Sequence, residues 1–338
     1  MNGFRAKRVL ITGGAGFIGS HLTDRLLADG FAVTVLDDFS SGRRENLCDA
    51  SRDGDFRLIE GSVLDRHSLE TAIEGCTRVY HLTVQCVRRS LGTPIDNHEI
   101  NATGTLMTLE AARRARVERF IYCSSSEVYG NCGDEWLNEE KSQCAPVTVY
   151  GAAKLAGEFY TKAYWRTYGL PTIVVRPFNS YGPREHESGD LAEVVPRFLV
   201  RVLNGLPPVI FGTGENGRDF TYVTETARGL ALAADCDALI GRTVNIAFGK
   251  MVTIAEVAKT IKQQCGRDDL VPLHIGPRPG DVIALQADTR LAHELLGFHA
   301  ATDFESGIAR YFEWFKAHHK DSSSLVESEL CNWYMPPV

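Results

Sequence analysis

The run Val9-Leu10-Ile11-Thr12-Gly13-Gly14-Ala15-Gly16-Phe17-Ile18-Gly19 limits what this chain can fold into more than any other stretch. Three apolar residues in a row predict a short strand buried on both faces, as in a parallel sheet. The glycines behind it allow a tight turn, a close approach of backbone to an anion, and tight packing of the next helix on the strand. That helix is predicted over 17–29, and its N-terminus offers free N–H groups and a positive dipole end. A second strand over 32–36 ends at Asp37-Asp38, where a carboxylate meets the ribose hydroxyls of a bound dinucleotide. A glycine triplet alone is a weak signal. In this order of strand, glycines, helix, strand and acid it points to dinucleotide binding through Gly13, Gly16, Phe17, Ile18, Gly19, Asp37 and Asp38. Carboxylates repel a 2′-phosphate, which favours NAD over NADP. Arg43 and Arg44 could receive such a phosphate but read more simply as a solvated basic pair on a loop.

The alternation continues. Strands are predicted over 56–60, 79–82, 120–124 and 172–176, and helices over 65–74, 97–116 and 150–168. This rhythm is that of an α/β chain with a Rossmann-type doubly wound parallel sheet, whose ligands lie beyond the carboxyl ends of the strands. From about Asn179 it breaks into Gly- and Pro-rich loops with shorter elements. We therefore expect an NAD-binding domain over 1–178 and a smaller C-terminal α/β substrate domain over 179–338, with segments such as 218–245 returning to the first. The polar tail from about Lys320 is expected to be loosely ordered, although Trp333 and Tyr334 could dock.

Composition narrows the function classes. Across 338 residues, 44% apolar and 23% charged content are globular values. A net charge of −7 gives no reason to expect nucleic acid or an anionic membrane as partner. No apolar stretch approaches the roughly 18 residues of a membrane span, and the N-terminus lacks the apolar core of a signal peptide, so a cytoplasmic location is expected. The nine cysteines are scattered without a C-x-x-C pair. Reduced thiols fit that pattern better than a metal site or a disulfide framework.

A second site is Tyr150-Gly-Ala-Ala-Lys154. Residues four apart on a helix share a face, so the phenol and the ammonium can meet. A free phenol titrates near 10. A neighbouring ammonium, together with a positively charged nicotinamide, is expected to lower it into the range of a general base. Ser124, Ser125 and Ser126 end the preceding strand, where a hydroxyl could bridge the tyrosine and a substrate oxygen.

Together with T-G-G-A-G-F-I-G, the motifs N-A-T-G-T from Asn101, S-S-S-E-V-Y-G, Y-G-A-A-K, R-P-F-N-S-Y-G-P-R and R-D-F-T-Y-V resemble the extended short-chain dehydrogenase/reductases that act on nucleotide sugars. The resemblance covers nearly the whole chain. It implies a tightly held NAD, oxidation of the sugar at C4 and a 4-keto intermediate. By position it makes Tyr150 the base, Lys154 its ribose-binding partner, Ser125 the bridging hydroxyl and Asn101 the prop of the active-site helix. Ser62 and Val63 fall where the adenine is held; the family usually has an aspartate in place of Ser62. Ser126, Asn179, Arg218 and Arg278 fall on the substrate side, the last three at the nucleotide diphosphate, where an arginine fork suits phosphate oxygens. Each has a plainer alternative: Arg218 and Arg278 could pair with Asp219 or Asp281, and Asn179 could cap a turn.

The reaction after C4 oxidation turns on Glu127. A 4-epimerase needs no carboxylate near C5, whereas Ser125-Ser126-Glu127 resembles the Ser/Thr-x-Glu of 4,6-dehydratases and glucuronate decarboxylases, in which a carboxylate can take the C5 proton. Glucose-type dehydratases carry an aspartate where Ser126 stands, which weakens that variant. The expectation is an NAD-dependent 4-epimerase of a nucleotide-diphosphate sugar, UDP-linked, with dehydratase or decarboxylase as alternative and a non-catalytic NAD sensor as a remote one. The segment 184–193 is expected to lie over the sugar, with His186 a solvated loop residue. The resemblance also implies a homodimer through helices 97–116 and 150–168.

Overall fold

The computed structural model describes residues 7–53, 55–132 and 136–334. Seven strands form its central sheet: β1 (Arg8–Thr12), β2 (Ala32–Asp37), β3 (Phe56–Glu60), β4 (Cys76–His81), β5 (Arg119–Cys123), β6 (Thr172–Pro177) and β7 (Thr243–Ile246). They lie in the order β3-β2-β1-β4-β5-β6-β7, every pair parallel. Strand order reverses between β1 and β4, so a crevice opens beyond their carboxyl ends, the place where open α/β sheets bind ligands.

Alternate side chains leave opposite faces of a strand. Val9 and Ile11 enter one core with Leu22, Val33 and Leu230, whereas Leu10 enters another with Leu69, Leu109 and Phe120. The first core packs helices Phe17–Ala28 and Val223–Ala234 on the sheet, and the second packs Arg66–Ile73 and Gly104–Ala115 on its other face. Because both faces are covered, β2 and β6 are buried along their whole length.

Two elements differ from the expected pattern. The helix expected over 97–116 is divided: Pro94–His98 is α-helical, Glu99–Thr103 widens into a π turn, and Gly104–Ala115 resumes the α-helix. β7 lies past the point where strand rhythm disappears from the sequence, yet it pairs with β6 in the main sheet.

A smaller unit surrounds a separate core built from Phe198, Val202, Ile210, Val257, Ile261 and Phe312. Beside it runs a four-stranded sheet of Met251–Thr253, Gly217–Asp219, Ala284–Ala287 and Trp136–Leu137. The chain therefore crosses between units more than once: Trp136–Leu137 reaches the small sheet, and Val223–Ala234 and β7 return to the large one. Among the described residues, no disulfide joins any of the cysteines. Among the described residues, no helix is long and apolar enough to cross a membrane.

Candidate active site

A cavity of about 750 Å³ runs from the glycine loop past the ends of β4 and β5 to Phe211 and Phe220 in the smaller unit. Gly13 turns the chain at φ 71°, and an added Cβ would lie within 2.9 Å of the backbone of Leu82 and Thr83. At Gly19 a side chain would strike the Gly13 carbonyl, so helix Phe17–Ala28 can approach the loop only with glycine there. Gly16 and Phe17, which open that helix, line the cavity together with Gly13, Ile18 and Gly19. Such a loop at a helix N-terminus could hold a pyrophosphate.

Asp37 Oδ2 accepts from the Ala15 N–H (2.9 Å) and Oδ1 from the Phe39 N–H (2.9 Å), so the carboxylate holds the glycine loop itself. Burial pushes its pKa up. Asp38 accepts from Ser40 N–H and Oγ through Oδ1 alone, which leaves its second oxygen available. Both aspartates line the cavity. The arginines expected to be a solvated pair are instead engaged: Arg43 bonds Glu187 (2.7 Å), and Arg44 pairs with Glu60 and lies over the Phe39 ring. Neither reaches the cavity. Val63 lines it, but Ser62 does not; the Ser62 hydroxyl accepts from the Leu64 N–H (3.3 Å) and closes a local turn.

Tyr150 sits in the first turn of helix Val149–Tyr168, which Thr148 caps by accepting from the Gly151 N–H (3.1 Å). Burial raises the phenol's pKa, and a hydrogen bond with Ser125 pulls it back. The expected lowering by Lys154 does not dominate. The Lys154 ammonium donates to the Cys123 carbonyl (2.9 Å) and lies 5.2 Å over the Tyr122 ring, with its own pKa brought down to about 8 by burial. Of the three serines, Ser124 donates to Glu158 (2.6 Å), which also holds Arg176 with two bonds. Ser125, whose Oγ accepts from the Glu127 N–H (3.2 Å), is the serine whose hydroxyl acts on Tyr150, and Ser126 lines the same wall.

Glu127 follows on a 3-10 turn. Its carboxylate lines the cavity and forms no ion pair with a described residue. Burial raises its pKa, while Arg218 and Arg278 oppose the rise. Arg218 lies on the short strand Gly217–Asp219 rather than in a loop. Its Nη2 and that of Arg278 both donate to Asp281 Oδ1 (2.8 Å each). One carboxylate therefore anchors two guanidiniums and leaves a surplus positive charge facing the cavity, which suits a diphosphate. Asp219 is not a partner; it accepts from the Phe248 and Gly249 N–H groups. Asn179 does not cap a turn with its side chain: its Oδ1 is buried, lacks a hydrogen-bond partner and belongs to a residue lining the cavity.

Two expectations change in detail. Asn101 is absent from the cavity wall and does not bond to helix Val149–Tyr168; it accepts from the Gln85 N–H (3.0 Å) and donates to the Gln85 carbonyl (2.9 Å), bracing the segment after β4. Its place on a π turn carries it there. The 184–193 segment does border the cavity, through Glu185, His186, Leu191, Ala192 and Glu193, but it is tied down rather than solvated. Glu185 and Glu187 are buried, and burial lowers the pKa of His186, favouring its neutral form. Sequence reading passed over Gln85 and Arg88 and named Asp281 only as an alternative partner of the two arginines. No motif marks Gln85 or Arg88, although Arg-Pro-Gly-Asp placed Asp281 close to Arg278.

Residues 9–247 match the model of the NAD dependent epimerase/dehydratase family. The chain is 36% identical over 312 residues to a UDP-glucose 4-epimerase of Mycolicibacterium smegmatis, covering 91% of this chain and 98% of that protein. It is 32% identical to a dTDP-glucose 4,6-dehydratase of Streptomyces niveus, covering 91% and 93%. The crystal structure of a Thermotoga maritima UDP-glucose 4-epimerase with UDP-glucose superposes with a TM-score of 0.86 at 34% identity, covering 92% of this chain and 99% of that one. With a glycine cradle, paired acids and a buried Tyr–Ser–Lys group in one cavity, the chain belongs to the NAD-dependent epimerase/dehydratase family and is an NAD-dependent enzyme.

Proposed function

We propose that this enzyme is a UDP-sugar 4-epimerase working through a transient 4-keto sugar. One observation carries the reading: the Tyr150–Ser125 hydroxyl pair and the Arg218–Asp281–Arg278 group open onto the cavity that the glycine loop enters. Bound NAD supplies the acceptor, and afterwards the donor, of a hydride at the sugar's C4. Gly13, Gly16 and Gly19 would make room for its pyrophosphate, Asp37 and Asp38 would receive its adenosine ribose, and Lys154 has N–H groups left that could hold the second ribose after its bond to Cys123. Tyr150 Oη, its ionisation favoured by the positive charge that a bound nicotinamide would add, takes the C4 hydroxyl proton, and Ser125 Oγ steadies the developing oxyanion. Arg218, Arg278 and Asn179 hold the diphosphate, so the keto sugar can turn over its face while still tethered. Tyr150 then returns its proton to the opposite epimer.

A second reading rests on Glu127. A carboxyl without an ion pair, raised by burial and open to the cavity, suits removal of a C5 proton in a dehydratase or decarboxylase. Incubation with UDP-glucose, UDP-glucuronate and their N-acetyl analogues separates the two by mass. An epimer of unchanged mass is expected, and Tyr150→Phe is expected to lose at least about a hundredfold in rate while retaining NAD. Loss of water or carbon dioxide would replace the first reading with the second. The homodimer is supported by Leu106, Phe159 and Tyr168, apolar residues left exposed along the helices expected to pair; sedimentation equilibrium reads it directly.

A further inference from the structure

We propose that Gln85 selects the sugar, its carboxamide holding a hydroxyl of an uncharged hexose, so that the site takes neutral sugars in preference to uronates. This rests on the nucleotide-sugar reading above. Gln85 lies just past β4, and its main chain is fixed by three hydrogen bonds: its N–H donates to Asn101 (3.0 Å), and its carbonyl accepts from Asn97 (3.0 Å) and Asn101 (2.9 Å). Both asparagines are buried. The side chain on this rigid support lines the cavity, yet its Oε1 is buried and unpartnered, and its amide nitrogen forms no hydrogen bond with a described residue. Buried polar atoms are nearly always bonded, so an open carboxamide on a cavity wall points to a ligand. A hydroxyl both donates and accepts, and it satisfies the carboxamide whichever way the amide is turned. Gln85 lines the same cavity as Tyr150 and Ser125.

Charge on the same wall argues against a carboxylate on the sugar. Arg88 donates to both oxygens of Glu193 (2.9 and 2.8 Å) and to the carbonyls of Asp190 and Leu191. Arg89 is matched by Asp190. Glu127 and Glu185 add carboxylates without an ion pair among the described residues. A uronate would face acids here with no free cation to receive it, since the surplus positive charge lies at Arg218 and Arg278.

Titration calorimetry on the NAD-loaded full chain carrying Tyr150→Phe, with UDP, UDP-glucose and UDP-glucuronate, tests this with turnover suppressed. UDP-glucose is expected to bind at least about tenfold more tightly than UDP-glucuronate. Gln85→Ala is expected to weaken UDP-glucose by about tenfold and leave UDP unchanged. Gln85→Glu, which keeps the size and an acceptor, is expected to hold UDP-glucose within about threefold of the parent and to weaken the uronate further. Equal or tighter uronate binding would overturn the proposal, as would a Gln85→Ala variant that binds UDP-glucose normally or loses UDP in equal measure. Because only binding is read, a dehydration product would sink the epimerase reading and leave this result standing, whereas decarboxylation of UDP-glucuronate would overturn both.

Discussion

Tyr150 and Glu127 are both acids pushed upward by burial, and their neighbours decide what each can do. The phenol is brought down by the Ser125 hydroxyl, whereas the carboxyl is brought down by Arg218 and Arg278 and pushed further up by Asp281 and Glu193. Glu127→Gln keeps the shape and removes the ability to take a C5 proton. If the enzyme is an epimerase, kcat is expected to stay within about threefold of the parent, because no step at C4 uses that group. A general base at C5 would make the same change cost about a hundredfold or more, and steady-state rates on the preferred UDP-sugar distinguish the two. At this scale the sequence was most readable where spacing on one element carries the chemistry: the i, i+4 relation of Tyr150 and Lys154 survives intact because a single helix holds both. Gln85 and Arg88 escaped because their roles come from partners up to about a hundred residues away, at Asn101 and Glu193. Asp281 was named only as an alternative partner, since nothing in a local window shows that it serves two arginines.

Among the elements, β1 and β4 are joined by a buried polar group. His81, at the end of β4, lies between Thr12 Oγ1 (2.7 Å) and Thr105 Oγ1 (3.0 Å), and burial lowers its pKa to about 3. On helix Phe17–Ala28, His21 meets the Pro183 carbonyl (2.9 Å) and is lowered by burial to about 4. Unfolded, each histidine takes a proton near 6.5, so the folded state binds fewer protons below that pH. Their stabilising contribution is complete above 6.5 and falls as pH drops toward 4 and then 3, by about 1.4 kcal/mol per pH unit for each ring. Urea unfolding of His81→Gln from pH 6.5 to 5 is expected to show a slope shallower than the parent's by about that amount; parallel slopes would mean that His81 is already charged in the fold. The first six strands were legible because their apolar runs are bounded by glycines and helical segments. β7 was not, since four residues at the sheet edge become a strand only by pairing with β6. Nor could the π turn be seen, because the helical period runs through Glu99–Thr103 almost unbroken while the geometry widens to bring Asn101 onto Gln85.

At the scale of the whole molecule, the two units are held around the cavity by the end of the chain. The tail expected to be loose is fastened: Arg197 of the smaller unit donates to Glu327 (3.0 Å), to the Leu330 carbonyl (2.8 Å) and to Asn332 (3.3 Å). Asn332 in turn donates to the Ala192 carbonyl (2.8 Å) and lines the cavity, while Trp333 packs edge-on against Phe211 at 4.6 Å. The strap thus tethers the 188–193 segment, which Arg88 holds from the large unit. Arg197 is nearly buried, so removing Glu327 leaves a desolvated guanidinium without its counter-charge, a loss of about 3–5 kcal/mol where no water reaches it. Truncation before Glu327 is expected to lower the melting temperature and raise KM for the UDP-sugar by about tenfold, with kcat changed less because the strap bonds to none of Tyr150, Ser125 and Lys154. Asn332→Ala, which spares the ion pair, is expected to raise KM by a smaller factor without the loss in melting temperature. If the truncated enzyme shows the parent's KM, the strap holds the tail alone and contributes nothing to closing the site.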